Sequence, residues 1–436
     1  MKNNKIQATK GMADILPDSA EKHKLPPISL WHFLETAIRD LMYSYNYEEI
    51  RFPILEDTAL FSRSIGEVTD IVEKEMYTFM DGDSSVTLRP EGTASCVRAC
   101  IENGLLRNQQ LQRLWYFGPM FRHEQPQYGR YRQFYQFGVE VFGLEGPDID
   151  AEQIAMLATL WRKLGINSNT VVEVNSIGCA SARESFKKDL IEYFSKYKDK
   201  LDEDSKKRLH KNPLRILDSK NKDLQDLING APALSTYINK EDKQHFDVFL
   251  EKLTQLNITY RINPRLIRGL DYYNRTVFEW VTEKLGAQSA ICAGGRYNGL
   301  AEQLGGPSTP GVGFAMGAER VLLLMQAQGI TATNILDGYL VCVGEAAISQ
   351  ALVWAEHIRM VCPWFSLAIN YDGGSFKSQF KKADKSGARL ALVMCDDEVA
   401  NATVTVKFLR EQREQETVLL KDIKIFLGGY CGRLSD

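Results

Sequence analysis

The sequence predicts an α+β chain in two parts, and three observations carry that expectation. Up to residue 331, strand-like runs and amphipathic helices are mixed, with a hairpin among them. Inside that stretch, residues 180–255 turn rich in Lys, Asp and Glu and keep helical apolar spacing, which predicts a mostly helical insertion. From residue 332 to 436, strands alternate regularly with amphipathic helices, the pattern of a small α/β domain with a largely parallel sheet.

The elements follow in order. Residues 28–46 place Ile28, Trp31, Leu34, Ile38, Leu41 and Tyr45 at helical spacing behind Pro26 and Pro27, a suitable helix start. The next segment, EEIRFPILE, alternates Ile50, Phe52 and Ile54 and reads as a strand that Pro53 confines to an edge or bend. MYTFM and VTLRP flank DGDSS as a hairpin, and a helix runs from Glu91 to Asn103. RLWYFGPMFR and QFYQFGVEVFG are strands on either side of a polar loop at 123–132. DIDAEQIAMLATLWRKLG opens on acids and closes on Arg162, Lys163 and Gly165, in agreement with the helix dipole and a glycine stop. After the insertion, strands return at ITYRI and TVFEWV, and GVGFAM leads into the helix GAERVLLLMQAQG. In the last part, GYLVCVG, FSLAINY and ARLALVMC read as strands, with ISQALVWAEHIRMV and SFKSQFKKADKSG as helices between them.

Composition narrows the function classes. The 44% hydrophobic and 25% charged residues are those of a globular chain. The longest apolar run, Leu390–Cys395, is far below the ~20 residues of a membrane span. The first residues are polar and carry no secretory pattern, so a cytoplasmic protein without a membrane partner is expected. The net charge of −3 gives no global attraction for nucleic acid, so such a surface must be a local patch. Eight scattered cysteines without a Cys-x-x-Cys pair predict reduced thiols rather than disulfides or a structural metal.

The phosphate-binding glycine cradles are missing. No G-x-x-x-x-G-K-[ST] loop occurs, and GVGFAMG does not fit G-x-G-x-x-G. A nucleotide would have to be held by guanidinium groups, whose planar forks match phosphate oxygens. Arg122 at the end of an apolar run, Arg268 before Gly269, and Arg320 after Glu319 in an apolar helix are the candidates.

Whole segments carry a resemblance. LRPEGTA (88–94), FRHEQPQYGRYRQFYQFGVEVFG (121–143) and GVGFAMGAERVLLL (311–324) resemble active-site motifs of class II aminoacyl-tRNA synthetases. RGLDYYNRTVFE (268–279) and AGGRYNGL (293–300) resemble signatures of the histidyl-tRNA synthetase family within that class. The resemblance covers essentially the full length, with the motifs in order.

That resemblance implies a class II synthetase-like antiparallel sheet with flanking helices over 1–331, and an anticodon-binding domain over 332–436. It implies a histidine–tRNA ligase: L-histidine attacks the α-phosphorus of ATP, and the histidyl group then passes to the 3′ end of tRNA(His). ATP would arrive with Mg²⁺, and no protein side chain is assigned to a metal. Arg122 and Arg268 would be catalytic, with Arg122 on the α-phosphate, Arg320 on the γ-phosphate, and Glu124, Arg130 and Phe134 around the rest of ATP. Glu91, Thr93 and Gln136 would surround the α-amino group of histidine. Glu140 and Tyr273 would address its imidazole, which offers one donor and one acceptor, with Arg268 and Tyr272 beside them. Tyr272, Arg296 and Tyr297 are expected to line the same cleft. Gln127 and Arg130 would meet the tRNA acceptor end, where Gln125 stands in place of the arginine of many relatives.

Lys377, Lys381 and Lys385 recur at i,i+4 and would form a tRNA-binding stripe on one helix face. Residue pattern alone leaves plainer readings open: a solvated face for that stripe, and a half-buried strand for Gln136 and Glu140. The helix at 28–46 and the strand at Pro53 occupy the place of motif 1 of the class II synthetases, the segment that builds a two-fold dimer interface in that class, so the resemblance implies a homodimer. The alternative to a ligase is a catalytically inactive paralogue acting as a regulatory subunit or tRNA-binding protein.

Overall fold

Helix α1 (Ile28–Ser44) starts behind Pro27 and buries Leu30, Trp31, Leu34, Ile38 and Leu41, the stripe its spacing marks. The computed structural model describes residues 6–432 apart from 19, 21–23, 67–68, 70, 218, 220, 269, 271, 286–289 and 333–334. The strand expected through Ile50, Phe52 and Ile54 is broken. Only β1 (Glu48–Glu49) and β2 (Leu55–Asp57) form. Pro53 has no N–H to give a ladder, and the carbonyls of Phe52 and Pro53 accept the Arg89 guanidinium at 2.8 and 3.2 Å instead.

Helix α2 (Thr58–Ile65) precedes the expected hairpin of β3 (Tyr77–Asp81) and β4 (Ser84–Leu88), which joins β2 in a separate sheet of order β2-β4-β3. Next come α3 (Thr93–Glu102), β5 (Gln112–Phe121), β6 (Gln133–Phe142), α4 (Pro147–Lys163) and β7 (Val171–Ser176). The insertion is helical: α5 (Ala180–Ser195), α6 (Glu203–Lys211), α7 (Leu214–Leu217), α8 (Gln225–Asn229) and α9 (Lys240–Gln255), with no strand among its described residues. The first part closes with β8 (Tyr260–Ile262), β9 (Asn274–Val281), β10 (Ala290–Arg296), α10 (Leu300–Gln303), β11 (Gly311–Gly317) and α11 (Ala318–Ala327).

The central sheet has the order β1-β5-β6-β11-β10-β9-β7-β8. From β5 through β7 every pairing is antiparallel, and only the outermost strands β1 and β8 pair in parallel. Alternation divides the residues of β6 between two faces. Phe137, Val139 and Val141 join Trp31, Leu157 and Trp161 in one core. Phe142 joins Tyr116, Tyr297 and, from the insertion, Phe186 and Leu190 in a second. Gln136 and Glu140 share this second face.

The contacts divide the chain into two compact units, Met1–Ala332 and Thr333–Asp436. The second contains β12 (Gly338–Val343), α12 (Glu345–Val361), β13 (Leu367–Ile369), α13 (Phe376–Lys385), β14 (Leu390–Cys395), α14 (Asp396–Asn401), β15 (Thr403–Phe408), β16 (Glu416–Leu419) and α15 (Ile423–Cys431). The sheet order is β13-β12-β14-β15-β16. It is less parallel than its sequence suggests, because β15 and β16 run antiparallel while β13, β12 and β14 are parallel. A parallel crossover needs about a dozen residues or more, and only residues 396–402 join β14 to β15. Cys96, Cys100, Cys292, Cys342 and Cys362 are buried thiols. No helix among the described residues is long and apolar enough to cross a membrane, and no metal-ligating cluster of His, Cys, Asp or Glu occurs among them.

Candidate active site

The polar face of β6 meets a cluster of hydroxyls. Glu140 has no solvent exposure. Its Oε1 accepts the Thr93 hydroxyl at 2.7 Å and the Tyr116 hydroxyl at 3.2 Å, and its Oε2 accepts the Tyr297 hydroxyl. Space for that carboxylate comes from Gly313 on the neighbouring strand, where a Cβ would lie 2.1 Å from Oε2 and 2.2 Å from the Val139 carbonyl oxygen. Burial raises the Glu140 pKa to about 8, against the lowering pull of the Tyr297 and Thr93 hydroxyls. Tyr272, Tyr273 and Tyr297 close the cluster as a trio of rings, with centroids 4.6 to 6.4 Å apart.

Glu91 sits just ahead of α3. Its two oxygens accept the backbone N–H groups of Thr93 and Ala94, each at 2.8 Å. It therefore serves the first amides of the helix, which have no partner within it, and burial raises its pKa despite those bonds. On β6, Gln136 is buried and its Oε1 has no hydrogen-bond partner. An acceptor left unsatisfied in a buried position is costly unless a ligand completes it.

Three arginines from distant segments share one cavity of about 230 Å³. Arg122 follows β5, Arg268 precedes β9, and Arg320 lies in the first turn of α11. Each is held by its surroundings. Arg122 Nε donates to the Pro90 carbonyl at 2.8 Å, with its guanidinium carbon 5.3 Å from the Phe134 ring centre. Arg320 Nε donates to the Ala290 carbonyl at 2.6 Å, and burial, then repulsion from Arg130, lowers its pKa. Arg268 Nη1 meets Glu279 Oε1 at 3.1 Å and its guanidinium carbon lies 5.6 Å from the Tyr273 ring centre. Burial pulls the Arg268 pKa down, but Tyr273, Glu279 and Tyr272 together carry it above the ordinary arginine value.

Glu124, Arg130, Phe134 and Gln136 line the same cavity, so every residue expected around ATP is gathered there. Arg130 pairs with Glu124 at 2.9 Å. Gln127 instead stands exposed in the loop tip, joined to Arg130 through backbone bonds. Glu91, Thr93, Glu140, Tyr272 and Tyr273 do not line the cavity; they form the enclosed cluster beside it. Lys377, Lys381 and Lys385 are all exposed on α13 of the second unit. Gly269 and Asp271 of the RGLDYYN segment lie outside the described residues.

One expectation is corrected. Arg296 does not line the cleft: it is fully buried, its Nη2 lies 2.9 Å from Asp150 of α4 and also donates to the Gly146 carbonyl, and its Nη1 donates to the Leu144 carbonyl. It ties β10 to the start of α4. Three residues escaped the sequence reading. Tyr116 reaches Glu140 because Gly138 opposes it across the β5–β6 register, and a strand glycine that marks close approach was the available signal. Glu279 and Glu319 both line the cavity. Glu319 accepts the Tyr135 N–H at 2.9 and 3.2 Å, and burial raises its pKa to about 8. No residue pattern distinguished these acids from solvated ones.

Residues 11–321 match a family model described as histidyl-tRNA synthetase, and residues 340–427 one described as an anticodon binding domain. The crystal structure of apo histidyl-tRNA synthetase from S. aureus is similar with a TM-score of 0.79 and 36% identity, over 97% of this chain and 99% of that one. Histidyl-tRNA synthetase from Nostoc sp. PCC 7120 shares the fold at a TM-score of 0.67 and 18% identity, over 98% and 100% of the two chains. An ATP phosphoribosyltransferase regulatory subunit/histidyl-tRNA synthetase from Bacillus halodurans shares it at 0.61 and 18%, over 90% and 99%.

Proposed function

The chain belongs to the histidyl-tRNA synthetase family of class II aminoacyl-tRNA ligases, and on that premise we propose that it activates L-histidine with ATP and transfers the histidyl group to tRNA(His). The observation that carries the reading is the convergence of Arg122, Arg268 and Arg320 on one cavity beside the enclosed polar cluster. Phosphoryl transfer needs in-line positioning and charge neutralisation more than covalent help.

In this reading the histidine carboxylate attacks the α-phosphorus and pyrophosphate leaves. Arg122 and Arg268 neutralise charge at the α-phosphate, and Arg320 does so at the γ-phosphate. Phe134 packs on the adenine, while Glu124 and Arg130 position the adenine end. Gln136 presents its unsatisfied Oε1 to the α-amino group. Glu140 acts with Tyr273 on the imidazole, and Thr93, Glu91 and Tyr272 hold the pocket around it. A site of buried polar groups rejects an apolar analogue strongly, because its own groups would then be left unpaired. Mg²⁺ carried by ATP spreads the phosphate charge. Glu279, an oxygen donor in the cavity whose Oε1 also pairs with Arg268, would be a ligand for it.

The second step gives the acyl group to a ribose hydroxyl of tRNA(His), with Gln127 and Arg130 at the acceptor end and Lys377, Lys381 and Lys385 on the anticodon side. A homodimer in the cytoplasm belongs to the same reading. Exposed Leu55, in the segment in the place of motif 1, and exposed Phe79 and Met80, on β3 of the same small sheet, support the dimer.

ATP–pyrophosphate exchange across a panel of amino acids tests the proposal, followed by transfer to tRNA(His). Exchange with histidine alone is expected. No exchange with any amino acid would overturn the ligase reading in favour of an inactive paralogue.

A further inference from the structure

The segment carrying Arg268, Tyr272 and Tyr273 reaches the site from a loop, and a loop must be held to keep side chains in register. Two helices of the insertion hold it. From α5, Arg183 Nη1 donates to the backbone carbonyl of Tyr273. From the start of α9, Asp242 Oδ1 accepts Arg275 Nε at 2.9 Å and Glu241 Oε1 accepts Arg275 Nη2 at 2.6 Å. Asp242 is itself fixed, its Oδ2 accepting the Cys179 N–H at 2.8 Å.

The backbone between these anchors is unusual. Arg275 has φ +50°, a left-handed conformation uncommon for a residue with a long side chain. Its N–H donates to the Gly178 carbonyl at 2.9 Å and its carbonyl accepts from Ile177 at 2.7 Å, so the two residues just ahead of the insertion pin it. Between α5 and the loop, by contrast, lies a cavity of about 200 Å³ lined by Arg183, Lys187 and Arg268. Beside that cavity, Arg183 adds a directed hydrogen bond to the packing that already places Tyr272 and Tyr273 in one core with Phe186 of α5.

We propose that Arg183 is a positioning residue for the active site, through which the helical insertion sets the placement of Tyr272, Tyr273 and Arg268. It touches no substrate. It acts through the Tyr273 carbonyl, and the conformation at Arg275 transmits the α9 anchor to the same segment. The proposal rests on the reading of this site as one that activates histidine.

Full-length Arg183→Ala, Arg183→Lys and the exposed-surface control Lys188→Ala are compared with the unaltered protein. Histidine-dependent pyrophosphate exchange by Arg183→Ala is expected to fall about tenfold to a hundredfold, with KM for histidine raised and KM for ATP within about twofold. Arg183→Lys should recover part of the loss, and Lys188→Ala should lose nothing. Hydrogen–deuterium exchange is measured alongside, and amides of residues 272–276 should exchange faster in Arg183→Ala while those of β6 do not change. Unchanged kinetics, or equal loss of affinity for both substrates, would overturn the proposal. If the unaltered protein shows no exchange, the histidine reading fails, and the amide measurement alone decides the anchor: protection unchanged at 272–276 removes it.

Discussion

Glu140 accepts the hydroxyl of Tyr297 at a position without solvent exposure, so burial governs its charge and the neighbouring hydroxyls offset that effect only in part. The carboxylate lies on β6 and the phenol just beyond β10, two strands joined only through β11. That arrangement makes the acid sensitive to pH in an unusual direction.

Burial holds the Glu140 pKa near 8, above the 4.5 of an unperturbed glutamate. Between those values the folded state binds the extra proton, so stability is fully present below pH 4.5 and is lost as pH rises through 8. Glu319 adds a loss of the same sign. Thermal melting from pH 5 to pH 9 should show Tm falling, and Glu140→Gln should flatten part of that fall. Identical pH slopes for the two proteins would refute the assignment.

Arg268→Ala should reduce adenylate formation by 10²–10³, about 3–4 kcal/mol of transition-state stabilisation. Arg268→Lys should restore little, since a point charge does not reproduce the planar fork that now meets Glu279 at 3.1 Å. Single-turnover pyrophosphate release measures both variants.

The Arg296–Asp150 pair is buried on both sides, with His245 Nε2 a further 3.3 Å from Asp150. Removing one partner leaves a buried charge without compensation, so Arg296→Met should cost about 3–5 kcal/mol of unfolding free energy. Urea denaturation reads this directly, and a loss below about 1 kcal/mol would contradict the burial argument.

Gly313→Ala places a methyl group against both the Glu140 carboxylate and a strand carbonyl that cannot swing away. It should cost about 1–3 kcal/mol by overpacking and weaken histidine binding more than ATP binding. Calorimetric titration with each ligand separates the two effects.

Replacing Lys377, Lys381 and Lys385 together by alanine should weaken tRNA binding and lower the slope of log affinity against log salt by about 2. Histidine-dependent exchange should be unaffected, because α13 belongs to the second compact unit. An unchanged salt slope would leave the three lysines as a solvated face.

Local pattern made much of the fold legible. The stripe of α1, the hairpin at Tyr77–Leu88, the long strands β5 and β6 and the helical insertion each follow from spacing that one segment carries by itself. Where an element depended on a partner, the pattern was insufficient. Alternation at Ile50, Phe52 and Ile54 resembled a strand, but Arg89 from another segment took the carbonyls that a strand would use. The direction of β15 likewise depended on how few residues connect it to β14.

The candidate site divides in the same way. Sequence by itself determined that arginines, rather than glycine cradles, had to manage any phosphate, and motif order indicated which ones. Tertiary structure alone decided that Arg296 is spent on Asp150, that Tyr116 joins Glu140, and that Arg183 of the insertion reaches the Tyr273 carbonyl. The physical reason is range. Periodicity reports which face of an element avoids water, whereas the partner of a buried polar group is fixed only when segments distant along the chain are packed together.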